Sequence, residues 1–416
     1  MNKLSVSTSI IDAPGFYGWK ILAIVFLAQM LAMGTTVYGF GVFVKPLTEE
    51  FGVSRATLNQ GFVVFMIGMG LFSPLLGRLL DRYRIRYIMA AGAALMGIGF
   101  CALGICKTLD QMALVVALPI ALGAAAIGPL VASTLVANWF SRQRGRALGI
   151  SSAATSLGGA LVVPLAAVCV EQFGWRAALV AQGAVIAAVI GLLALAFIHN
   201  HPRDIDLQPD GDSAPPDIGK TAAEQTQAQS WWRSRNFWCI TLSVGLCFAI
   251  NQAFLVSLIP YATDLGIGLK QATLLLSCSS VASIAGKLVI GACADRVEKR
   301  FLMLLVIACI ILQMAVLIFE PGYGVLLIIC TLAGFAIGGE LPVWGALVAE
   351  CFGSARYGSV MGAMSAANTA LGLTAVHFIG AMFDRNGNYA FAFQLFIGIA
   401  LIAGVFAAFI RSPARS

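Results

Sequence analysis

The chain has 416 residues, of which 59% are hydrophobic and only 11% charged, and its mean hydropathy is +0.89. These shares exclude a water-soluble domain, whose apolar fraction is far lower and whose charged fraction is about a quarter. A net charge of +7 would suit nucleic acid, but where the charges lie along the chain decides their meaning.

Read from the N-terminus, twelve apolar stretches are each of the length that a ~30 Å hydrocarbon layer demands of a helix. They lie near 19–45, 57–77, 87–106, 111–139, 147–170, 176–198, 237–260, 271–294, 301–319, 323–349, 358–382 and 389–410. The first is too long for a signal peptide and ends in Lys45-Pro46 rather than at a small-residue cleavage site, so it is expected to stay. Nine of the ten cysteines fall in these stretches and Cys351 lies two residues past the end of one, without Cys-x-x-Cys spacing or His partners, and they read as small hydrophobes. With no phosphate loop, nucleophile triad or metal cluster in the sequence, neither an enzyme nor a cofactor is expected.

With both termini on one side, 19 of the 26 lysines and arginines fall in the termini and even-numbered loops, six in the odd loops, and Lys287 inside a stretch. By the positive-inside rule both termini are expected in the cytoplasm, with the chain a multi-pass protein of the cell (inner) membrane. The basic loops are thus topology signals, and no nucleic acid is expected.

Residues 199–235 turn polar, with acids, prolines and glutamines and little to bury, and read as a linker. The segments flanking it repeat. Pro46 and Pro260, Gly52 and Gly266, Gly77 and Gly291, and Asp81-Arg82 and Asp295-Arg296 are all offset by 214. Pro129 and Pro342, Gly145 and Gly358, and Gly149 and Gly362 follow at 213. A nearly constant offset across five helices signals a duplicated six-helix unit, and because six is even both copies enter the membrane from the same side. The expected fold class is an all-α membrane protein of twelve transmembrane helices in two pseudo-symmetric six-helix bundles. The expected division is an N-terminal bundle over 1–198, the linker over 199–235 and a C-terminal bundle over 236–416. Glycines in small-x-x-x-small pairs let such helices approach closely.

This pattern, with Gly-x-x-x-Asp-Arg after the second and eighth helices, resembles the major facilitator superfamily over nearly the full chain. The second glycine usual in that signature falls at Arg84 and Glu298 here. An Asp at the end of one helix can accept hydrogen bonds from the N–H groups that open another. By pseudo-symmetry and by the resemblance, Asp81 is expected to meet the start of helix 11 at Arg356-Tyr357-Gly358. Asp295 is expected to meet the start of helix 5 at Arg144-Gly145-Arg146. With Arg82, Arg296, Arg144 and Arg356, these would latch the cytoplasmic side shut.

Lys287 poses the central question. Eight residues before Asp295 is about 12 Å of helical rise, which puts it near mid-membrane, where a cation costs about 2.5–3.5 kcal/mol unless it faces an internal cavity. Glu340, ten residues before Glu350, is an acid at comparable depth, and His377 lies toward the outside. Two arrangements are open: Lys287 and Glu340 form a structural ion pair, or Lys287 binds an anionic substrate while Glu340 carries a proton. Polar side chains that could complete a cavity include Gln29, Tyr38, Asn59, Ser133, Thr134, Thr155, Asn251, Gln252 and Asn368, of which Asn251, Gln252 and Asn368 are preferred.

"GFYGW" at 15–19 and "NWFSRQRGRALGISSAATSLG" at 138–158 resemble the openings of helices 1 and 5 in the monocarboxylate transporters. In that family helix 8 carries an Arg four residues before a Gly, and this Arg binds the substrate carboxylate; Lys287 holds that position relative to Gly291. A lysine keeps the charge but not the bidentate fork, which suits a broader range of carboxylates. The animal members' Asp on helix 8 is Ser283 here, and near their helix 1 Lys stands Tyr38, so Glu340 would have to supply the proton route. The related oxalate and formate exchangers pair cationic residues on helices 8 and 11, for which His377 is the helix 11 candidate. The resemblance implies alternating-access transport of small organic anions, monocarboxylates first, coupled to protons, by a monomer surrounded by lipid. Proton-driven efflux of drugs or metabolites, and proton-independent anion exchange, are the alternatives.

Overall fold

The computed structural model describes residues 16–211 and 231–411. The ends of the two expected bundles at 1–15 and 412–416, and the middle of the linker at 212–230, lie outside the described residues. Among those described there are helices and no strands. Eleven helical stretches are long and apolar enough to cross a membrane. The longest, Arg144–Phe197, is two spans, because Gly174 breaks it with φ 80° and ψ 160°, a backbone conformation that only glycine adopts readily. Among the described residues the spans are therefore twelve. They are α1 (Tyr17–Phe51), α2 (Arg55–Arg82), α3 (Ile85–Ile105), α4 (Leu109–Trp139), α5 (144–173) and α6 (175–197). After the linker follow α7 (Arg235–Asp264), α8 (Leu269–Cys293), α9 (Lys299–Ile318), α10 (Tyr323–Phe352), α11 (Tyr357–Asn386) and α12 (Ala390–Ala408).

The helices depart from straight rods where the sequence weakens them. α1 carries a π-helical turn over Gly34–Tyr38 and α4 another over Val116–Ile120, which contains Pro119. A π turn or a proline leaves carbonyls that neighbouring helices must satisfy, so such breaks are tolerated only in packed or cavity-lining positions. α10 is interrupted at Gly339, immediately before Glu340.

The two halves meet along two seams, α2 against α11 and α5 against α8. Glycine makes both seams possible. A Cβ on Gly77 would run into the Gly358 carbonyl, and one on Gly362 into the Ser73 carbonyl. In the other seam, Gly145 lies against the Gly291 carbonyl and Gly149 against that of Lys287. With a repeat offset of 213 to 214, these are the same contacts made twice. Backbone-to-backbone approach of this kind maximises dispersion in lipid, where no hydrophobic force draws helices together. Within the C-terminal half, Gly286, Gly334 and Gly338 bring α8 and α10 equally close, against Phe335, Ser279 and Ser283.

The start of the linker is not the loose segment its composition suggests. Asn200 accepts a hydrogen bond from Ile85 N (2.7 Å) and donates to the Tyr83 carbonyl (2.9 Å). Trp139 Nε1 donates to the His199 carbonyl at 3.0 Å. Polar side chains with little apolar surface to bury fix this segment by hydrogen bonds to free backbone groups at helix ends.

Candidate functional site

α5 and α11 begin without a side-chain cap of their own, since neither Gln143 nor Arg356, their N-cap residues, accepts from the first turn. The first N–H groups of each helix would be orphaned, and a carboxylate from the other half takes them. Asp295 accepts from Gly145 N (2.5 Å) and Arg146 N (2.9 Å). Asp81 accepts from Gly358 N (2.9 Å) and Ser359 N (2.8 Å). Burial raises the Asp295 carboxyl above its ordinary range, while the two N–H bonds act in the opposite direction. The start of α5 has a further anchor, because the linker's Asp210 accepts from Ser141 N at 2.9 Å and Arg142 N at 2.7 Å.

The arginines around these latches have different surroundings. Arg144 turns its guanidinium back to the carbonyls of Phe140 (2.9 Å) and Ala137 (3.0 Å), closing the end of α4. Arg356 directly precedes α11 as its N-cap residue. Arg82 and Arg296 are exposed.

On the far side of the latches, α1, α5 and α7–α11 enclose a cavity of about 330 Å³. Six of the residues singled out from the sequence line it: Tyr38, Asn251, Gln252, Lys287, Glu340 and Asn368. Ser283, Ser280 and Ser279 carry the α8 wall onward from Lys287, away from Asp295. Phe248, Leu255, Ile337 and Trp344 supply an apolar surface.

Lys287 is 9% exposed. Its ammonium donates to Thr155 Oγ1 at 2.9 Å and to Ser156 Oγ at 2.7 Å, both on α5, so the cation spans the seam between the halves. Among the described residues no carboxylate forms an ion pair with it, Glu340 included. An ammonium has three donors, and two are taken by neutral hydroxyls, which leave its charge uncompensated.

Glu340 is 6% exposed, and its Oε1 has no hydrogen-bond partner. Asn368 Oδ1 and Gln313 Oε1, in the same lining, are likewise without one. A buried carboxylate among unsatisfied acceptors is costly when ionised and is eased by taking up a proton, which makes it a donor.

His377 is not part of this lining: it is exposed and absent from the cavity wall. Nine residues beyond Asn368 at 100° per residue is half a turn, so the imidazole is on the opposite face of α11. Gln29 bridges helices instead, donating to the Ser151 carbonyl (2.9 Å) and hydroxyl (3.0 Å). Sequence reasoning missed Ser156, Gln313, Phe248 and Trp344. For Ser156 and Gln313 a signal existed, since Ser156 adjoins Thr155 on a helix whose glycines mark it as a seam and Gln313 is an amide within an apolar span; Phe248 and Trp344 look like ordinary core.

The Major Facilitator Superfamily pattern matches this chain twice, over residues 24–261 and 241–416. The chain belongs to that superfamily. Its members are transporters rather than enzymes, and this is accordingly a multi-pass membrane protein that carries small molecules. It is 22% identical over 397 residues to the uncharacterized MFS-type transporter YcxA of Bacillus subtilis, covering 92% of this chain and 93% of that one. To monocarboxylate transporter 13 of Bos taurus it is 25% identical over 402 residues, 94% of this chain and 88% of the other. Among solved structures it is similar to FucP in the outward conformation, with a TM-score of 0.73 at 15% identity, covering 95% of this chain and all of that one. The proton:xylose symporter XylE gives 0.72 at 17% identity, with 95% and 96% covered. At these identities the two structures speak for the fold alone.

Proposed function

We propose that this transporter carries small organic anions, monocarboxylates first, across the cytoplasmic membrane by alternating access, with Lys287 as the anchor for the cargo carboxylate. The observation that carries this reading is the ammonium at the cavity wall, which is buried, bonded to two hydroxyls and paired with no carboxylate among the described residues. A carboxylate entering the cavity would supply the missing negative charge at a site where water screens little. Likeness to proteins named monocarboxylate transporters 12 and 13 agrees with it. Glu340 carries the coupled proton, because its partnerless oxygen lies among other acceptors, where the O–H of a carboxylic acid would supply a donor. The latches at Asp81 and Asp295 hold the linker side shut, and their release is the step that turns the cavity inward. On the positive-inside reading that side is the cytoplasm, and the working units are the bundles 1–198 and 236–416 joined by 199–235.

Uptake of labelled lactate and of a larger monocarboxylate into proteoliposomes tests the reading. Lys287→Ala is expected to abolish it and Lys287→Arg to retain it. Undiminished transport of a neutral compound by Lys287→Ala, with no carboxylate taken up by the parent, would reject the reading in favour of efflux of apolar compounds. The Phe248, Leu255, Ile337 and Trp344 surface is what favours that second reading.

A further inference from the structure

Away from the transport cavity, the linker-side end of α3 carries a second polar recess of about 420 Å³. Arg84, Arg86, His199, His201 and Asp204 line it. Its floor is rigid, since Asn200 is bonded to both Ile85 N and the Tyr83 carbonyl. The N–H that opens α3 is thereby satisfied, so any attraction for an anion comes from the side chains rather than the helix end. Arg86 stacks over Tyr87 at 4.8 Å and donates to its hydroxyl at 3.1 Å, yet its Nε is buried with no partner. The acid in this lining, Asp204, accepts from His201 N at 3.1 Å. Two guanidinium groups therefore line the recess against one carboxylate, Asp204, one oxygen of which is held by a backbone N–H, so the arginine and aspartate charges sum to a net positive.

The surroundings identify the kind of anion. Tyr83 and Tyr87, which bracket the arginines, are 60% and 54% exposed. Exposed tyrosines at the end of an apolar span mark the level of lipid headgroups. Phosphate oxygens match the guanidinium fork, and basic residues at this level draw anionic lipid.

We propose that this recess binds the phosphodiester headgroup of an anionic membrane phospholipid through Arg84 and Arg86. A lipid seated there would bridge the start of the linker and the α2–α3 turn, where Arg84 lies three residues beyond Asp81. Its occupancy would stiffen the half of the gate that contains that latch.

Native mass spectrometry of the full-length protein in detergent, titrated with phosphatidylglycerol or phosphatidylcholine, tests the proposal. The parent protein is expected to hold one phosphatidylglycerol at least ten-fold more tightly than phosphatidylcholine. The double change Arg84→Gln with Arg86→Gln should erase that preference, and Arg84→Gln alone, at an exposed position, should cut it about three-fold. Millimolar inorganic phosphate should not displace the lipid; if it does, the recess is a site for soluble anions and the lipid assignment falls. An unchanged preference in both variants also overturns it. Should the double variant fail to fold, the single variant and the phosphate competition still decide.

Discussion

The two seams between the halves follow one pattern, and they differ in the charge they carry. In the α2–α11 seam Ser73 backs onto Gly362, and its hydroxyl donates to the Met69 carbonyl of its own helix at 2.7 Å. At the matching position of the α5–α8 seam, 214 residues later, Lys287 backs onto Gly149 and donates across the seam to Thr155 and Ser156. One seam is thus satisfied within itself, and the other carries a cation into the cavity wall. The latches differ as well. Ahead of the α5 contact the linker's Asp210 holds Ser141 N and Arg142 N in the preceding turn, whereas among the described residues the turn before α11 shows no such carboxylate beside Asp81. Packing geometry can be copied between halves while charge is kept in only one, because glycine contacts serve closure in both and an ammonium is tolerable only where something will neutralise it.

The sharpest way to break this comparison is to exchange the chemistry of the matched positions. Lys287→Ala should lower carboxylate uptake by about 100-fold or more, the scale of removing a charge-assisted hydrogen bond from a dry site. Ser73→Ala should change it less than about two-fold in the same assay. Equal losses would mean that both seams work only as packing. Next in size is coupling: Glu340→Gln should flatten the dependence of uptake on external pH while leaving counterflow of bound anion measurable. A retained pH profile would move the proton elsewhere.

The latches give the third test. Asp81→Asn should shift the resting population toward the state open on the linker side by about ten-fold, the order of one charged hydrogen bond to a helix start. Asp295→Asn should shift it in the same direction by a similar factor, because Asp210 holds Ser141 N and Arg142 N, ahead of α5, and leaves Gly145 N and Arg146 N without a carboxylate. Distances across the linker side from spin-labelled cysteines read both, and an unshifted population in either variant would contradict the latch reading. The smallest effect is expected from Ser156→Ala. Removing one hydroxyl from the ammonium should destabilise the empty protein by about 1–2 kcal/mol, seen as a lower melting temperature that saturating carboxylate restores.

Much of the architecture was legible in the sequence because the bilayer allows so few solutions. Apolar length fixes a span, and the offset of 214 ties Asp81 and Asp295 to equivalent helix ends. The spacing of Gly145, Gly149, Gly358 and Gly362 marks the faces that must meet closely. The break at Gly174 was legible less directly, since a twelve-span count demands a turn there, while only the backbone reveals how short it is. The fixing of the first residues of the linker was not legible. Composition describes what a segment can bury, and it is silent on hydrogen bonds such as those of Asn200 and Asp210 to helix ends.

The sequence by itself determined that the chain spans a membrane twelve times as two related halves, and it placed Lys287 and Glu340 within apolar spans, where charge is costly. Depth is a one-dimensional quantity that counting along a helix supplies. Which way a side chain faces, and what it meets, depends on the rotation and contact of helices distant in the chain. Only the tertiary structure could therefore separate Asn368 in the cavity wall from His377 on the opposite face of the same helix. It alone set the ammonium of Lys287 between two hydroxyls, apart from Glu340.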